Sequence, residues 1–90
     1  MASSRNITSA DVGNTIACTI SATLTIPSGF SAMKEGDIIN LEVHGTLLTV
    51  QGASGVTING QSGKSISKGN NEVYTGGIMR KTGSNSYIVL

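Results

Sequence analysis

Thr23-Leu24-Thr25-Ile26-Pro27-Ser28-Gly29-Phe30 is a short alternating strand that runs into a stop, and Glu35-Gly36-Asp37-Ile38-Ile39-Asn40-Leu41 launches a second strand after a brief link. Leu24 and Ile26 fall on one face, and Pro27 removes a ladder donor and ends the run. In the second segment Ile39, Leu41 and Val43 share one face, while Asn40, Glu42 and His44 share the other. The link holds at most one helical turn over residues 31–35, which Gly36 would end. This grammar of strand, stop and strand predicts a small all-β module.

The rest of the chain keeps the same rhythm. Gly, Ser and Thr make up 34 of the 90 residues, so good helix formers are scarce and no convincing 3.6-residue period emerges. Strands are expected over residues 15–20, with Ile16, Cys18 and Ile20 on one face, then over 23–26, 37–44 and 46–50. The strand at 46–50 is expected to return from 37–44 as a hairpin across Gly45. A short strand at 56–58 leads into Asn59-Gly60, a strong hairpin-turn signal. Residues 61–71 are polar with room for a short strand around Ile66. Residues 72–81 form another strand, bent at Gly76-Gly77, and 86–90 closes the fold after a turn at Gly83-Ser84-Asn85. The expected architecture is a compact sandwich or barrel-like module of short antiparallel strands with no substantial helix. Residues 1–7 are expected to be a flexible N-terminal arm and 8–90 a single β-domain. The chain opens on Met1 and ends on an apolar strand at Leu90, which predicts a self-contained module.

Composition narrows the function classes. One Phe, two Tyr and no Trp make a core poor in aromatic area. Small domains with thin cores commonly need disulfides, metals or oligomerisation. Cys18 is alone, so no internal disulfide can form, and no Cys/His cluster has the spacing of a structural metal site. Oligomerisation is therefore the expected route. The net charge of +1 carries no basic stripe, which argues against a nucleic-acid partner. No apolar run reaches the length of a membrane span, and the first residues lack a signal-peptide layout, so no membrane partner is expected and synthesis is expected in a cytoplasm.

Three motifs invite chemistry and fail on spacing or setting. Ser62-Gly63-Lys64-Ser65 mimics the end of a phosphate loop, but Ile58 stands where the first glycine is required and no helix follows. Glu42 and His44 share the polar face of one strand without a third ligand. Cys18 lies between apolar Ile16 and Ile20, the setting of an inert thiol. No cofactor is expected, and no set of acid, base and nucleophile points to an enzyme. The candidate contact residues are Tyr74, Ile78, Met79, Arg80 and Lys81, a mixture of cationic, aromatic and apolar groups of the kind enriched at interfaces. Phe30 and Met33, in the link after Pro27, are either core plugs or exposed anchors.

A wider pattern joins these pieces. Asp11-Val12-Gly13, the run from Leu24 to Phe30, Gly36-Asp37-Ile38, Gly55-Val56-Thr57-Ile58-Asn59 and Lys81-Thr82-Gly83-Ser84-Asn85-Ser86-Tyr87-Ile88-Val89 follow one another in order. This succession resembles the small β-module of bacteriophage tail-fibre and other virion structural proteins. Tyr87 stands where that module usually closes on Trp, and here the module is expected to stand alone. The resemblance implies a virion location, association in threes, and partners among capsid or tail proteins. A free-standing module suits capsid decoration. A tail-fibre or tail-tip module contacting a host receptor is the alternative. A carbohydrate-binding module is a third class, which the shortage of aromatic stacking surface disfavours.

Overall fold

A computed structural model describes residues 1–90. Nine strands form two sheets. They are β1 (Arg5–Asn6), β2 (Thr15–Cys18), β3 (Ala22–Ile26), β4 (Ile38–Val43), β5 (Leu47–Gly52), β6 (Thr57–Ile58), β7 (Gly63–Ser67), β8 (Thr75–Gly83) and β9 (Ser86–Val89), with a short 3-10 turn at Ser9–Asp11. One sheet has the order β1-β3-β5-β7 and the other β2-β4-β8-β9-β6. The protein is all-β and sandwich-like, and the sheets do not close into a barrel.

Strand direction departs from expectation. From β1 to β8 the chain changes sheet at every connection, and only β8 and β9 are consecutive strands that pair side by side. Apart from β8 and β9, neighbours within a sheet are therefore separated by at least one strand of the facing sheet, which supplies the crossover that parallel pairing requires. The pairs β1–β3, β2–β4, β3–β5 and β6–β9 are parallel, and β4–β8, β5–β7 and β8–β9 are antiparallel. The hairpin expected between residues 37–44 and 46–50 does not form. At Gly45 the backbone passes over Ile20, so close that an added Cβ would sit 2.6 Å from the Ile20 carbonyl carbon. His44 and Gly45 both donate their N–H to the Cys18 carbonyl, and the chain then crosses to the other sheet.

The core lies between the inward faces. Leu24, Ile26, Leu48 and Val50 meet Ile16, Cys18, Ile39, Leu41, Val43, Met79, Tyr87 and Val89, all buried. Ile7, Met33, Val56 and Ile58 complete the buried cluster. Ile20 is not among them, because β2 stops at Cys18 and leaves it exposed. The Asn59-Gly60 turn forms as expected. Both residues have positive φ, 55° and 75°, and Ile58 and Gln61 pair across them. The link over residues 31–35, which had room for at most one helical turn, forms turns and no helix.

The N-terminal segment is not a free arm. The Met1 amino group donates to the Ala17 carbonyl, and the Thr19 N–H donates to the Met1 carbonyl. Arg5 and Asn6 ladder onto β3, and Ile7 is buried. Backbone groups and a terminal amine make these anchors, so a polar composition did not reveal them.

Tyr87, the one fully buried aromatic, carries a hydroxyl with no hydrogen-bond partner. Burial raises its pKa. An unpaired buried hydroxyl costs about 1 kcal/mol or more, so Tyr87→Phe is expected to leave stability unchanged or raise it by up to about 1 kcal/mol. Thermal unfolding of the variant checks this, and a clear loss of stability would contradict it.

Candidate interaction surface

The outward face of the five-stranded sheet follows from strand alternation and register. On β4 the outward residues are Ile38, Asn40 and Glu42, opposite Arg80, Ile78 and Gly76 of β8. On the other side of β8, Arg80 faces Ile88, and Ile78 exchanges both backbone hydrogen bonds with Leu90, at 3.1 and 2.8 Å. Ile38 and Ile88 thus flank Arg80 across the strands, and Ile78 and Leu90 stand side by side in the adjoining row. Ile38, Ile78 and Leu90 are 40%, 39% and 64% exposed. Gly76 has no side chain and leaves a notch beside Glu42. Past that notch His44 and Tyr74 stack, with ring centroids 5.3 Å apart and planes 23° from parallel.

Alternation divides the contact residues expected from the sequence. Ile78 and Arg80 point outward, Tyr74 is exposed, and all three belong to this face. Met79 is corrected, since it is fully buried and cannot meet a partner, and Met33, also fully buried, is a core plug and not an exposed anchor. Phe30 is half-buried against the core. Lys81 is also corrected. Its stem turns inward, and its ammonium donates to the carbonyls of Phe30 and Met33 at 2.9 and 2.7 Å. It lies 5.7 Å from the Tyr87 ring centroid. Lys81 is a clamp that holds the 27–37 link against β8. Ile38, Ile88 and Leu90 were missed as contact residues. Ile38 was legible, because it sits in phase with the polar residues Asn40, Glu42 and His44.

No family model, curated protein or solved structure matches this chain. Cys18 is buried, and its Sγ lies 2.8 Å from the Ile20 carbonyl oxygen, which accepts the thiol proton. Glu42 Oε1 meets His44 Nε2 at 2.9 Å. No three His, Cys, Asp or Glu side chains come together in a way that could hold a metal ion. Residues 62–65 span a turn and the start of β7, an edge strand, with no helix after them. No helix is long and apolar enough to cross a membrane.

The other ion pair lies away from this face and secures the N-terminus. Arg5 Nη1 and Nη2 bind Asp11 Oδ2 and Oδ1 at 2.8 and 2.9 Å. Thr8 adds its backbone N–H to Asp11 Oδ2 at 2.8 Å. The Arg5 hydrogen bonds hold the Asp11 carboxyl below its usual range, and partial burial opposes them. A carboxyl depressed in the folded state contributes stability above its unfolded pKa of about 3.9 and loses it as pH falls through the folded value. Asp11→Asn is expected to cost about 1 kcal/mol at neutral pH, the upper end for a partly exposed pair with bidentate geometry. The difference from wild type should shrink below about pH 4. Thermal unfolding of both proteins across pH 2–7 reads this directly, and a pH-independent difference would contradict it.

Proposed function

We propose that this chain is a structural protein of a bacteriophage virion that decorates and stabilises the capsid. The reading is supported by the ordered succession of turn and strand motifs, which resembles virion β-modules over residues 8–90. The single structural observation that carries it is the outward sheet face, where Ile38, Ile78 and Leu90 stand exposed around Arg80 on laddered strands. Apolar groups with one arginine among them, on a surface already held by backbone hydrogen bonds, lose little freedom on docking. Such a face would bridge neighbouring capsid subunits by adding buried area where they meet.

One observation favours the receptor-contacting alternative. Val73 and Tyr74 are exposed together just before β8, in a molecule 37 × 24 × 21 Å across. Exposed apolar and aromatic residues on a connecting segment suit contact with another surface. Co-sedimentation separates the two readings. Purified protein is mixed with undecorated capsids of the phage that encodes it, and bound mass is measured against added protein. Saturation at a fixed ratio per capsid subunit is the expected result. Binding to host cells, with none to capsids, would sink decoration in favour of the tail reading.

A further inference from the structure

Arg80 is an unpaired cation set among apolar neighbours. It takes part in neither ion pair of the molecule, and its neighbours on the sheet are Ile38, Ile88 and Ile78. Along the strands, the row formed by Asn40, Ile78 and Leu90 divides the face in two. Arg80 lies one row to one side, and Glu42 and Gly76 lie one row to the other. The charges are thus opposite in sign and equally distant from the central row.

From this arrangement we infer that the outward face of the five-stranded sheet pairs with a second copy of the same chain across a two-fold axis. The axis lies between the faces, perpendicular to the strands, along the row of Asn40, Ile78 and Leu90. This operation places Ile78 over its own counterpart. It also carries the partner's Arg80 over Gly76, where no side chain blocks it, beside Glu42. The reciprocal contact forms at the same time, so one interface holds two Arg80–Glu42 pairs, as an isologous contact demands. The alternative axis, parallel to the strands, would bring Arg80 against the row of the partner's Arg80 and is disfavoured by charge.

The size of the face sets the strength. Five strands about 4.8 Å apart and roughly 17 Å long present about 400 Å². Two such faces bury about 800 Å², below the range of stable dimers, so the pairing is weak and depends on concentration. Self-pairing would occupy the same face that capsid docking uses, so the two associations compete, and the pairing does not rest on the virion reading. Capsid binding can fail while self-association holds, and the converse is also possible.

Sedimentation equilibrium of the isolated protein tests the inference. From about 10 μM to about 1 mM the mean mass is expected to climb from the 9.2 kDa of one chain towards twice that value. Arg80→Glu and Glu42→Arg are each expected to weaken association at least about tenfold, because like charges then face each other. The double exchange R80E/E42R is expected to restore it to within about threefold of wild type. Unfolding midpoints of all three variants report that the fold is kept. In the wild-type protein, amide shifts that move with concentration should map to Gly76, Ile78 and Arg80, a readout that needs no variant. Several results would overturn the two-fold pairing. They are a single-chain mass at every concentration, a three-chain limit, undiminished association of Arg80→Glu, a double exchange as weak as the singles, or amide shifts confined to β7.

Discussion

Met79→Ala is expected to lower stability by about 3 kcal/mol, the usual range for truncating a buried methionine. Met79 is fully buried and opposite Ile39, another fully buried residue, on the inner side of β8. A small domain loses roughly 4–8 °C of melting temperature per kcal/mol, so the midpoint should fall by about 15 °C. The neighbours in sequence supply the contrast. Arg80→Ala should stay within about 0.5 kcal/mol of wild type, and half-exposed Ile78→Ala should cost about 1 kcal/mol or less. Urea unfolding of the three variants reads the in-and-out alternation of the strand. Equal losses at positions 79 and 80 would contradict the placement of these side chains.

Lys81→Met is expected to cost about 2 kcal/mol, because hydrogen bonds from a charged donor contribute about 1.5–3 kcal/mol and their loss leaves carbonyls unpaired. The substitution keeps the apolar stem and removes the ammonium that binds the Phe30 and Met33 carbonyls. The backbone of Lys81 also accepts the Gly36 N–H at 2.9 Å and donates to the Asp37 carbonyl at 3.2 Å. Loosening should therefore be local before it is global. Amide hydrogen exchange at Gly36 and Asp37 should quicken more than exchange in β3 or β5. Lys64→Met, at an exposed residue of the edge strand, is the control and should change neither stability nor exchange. A Lys81→Met protein as stable as wild type would contradict the clamp.

Much of the strand content was legible because side-chain alternation and turn chemistry are local. Ile39, Leu41 and Val43 declare one face of β4 without help from the rest of the chain. Pro27 ends β3 and Asn59-Gly60 turns the chain, each through its own backbone preferences. Alternation says which face a residue takes, but not which strand lies alongside. Leu48 and Val50 fit the core equally well from either sheet, so the pattern could not separate a β4–β5 hairpin from a crossover. Gly45 looked like a hairpin turn and is instead the place where the chain clears Ile20.

The surface was legible in part for the same reason. Ile78 and Arg80 stand out as an apolar and cationic pair, but grouping them with Met79 and Lys81 ignored the period of two that the strand imposes. Lys81 could not have been assigned from sequence, because its partners are two main-chain carbonyls some fifty residues earlier, at separations of 51 and 48. Leu90 becomes part of the outer face only once β9 is known to pair with β8.

The alternation of the chain between two sheets underlies the core, the clamp and the outward face together. Backbone nuclear Overhauser contacts test it most directly. Amide and Hα contacts are expected between Leu24 and Val50, as parallel β3–β5 neighbours, and between Ile16 and Leu41, as parallel β2–β4 neighbours. Backbone contacts pairing Val43 with Leu48, as in a hairpin across Gly45, would contradict the account.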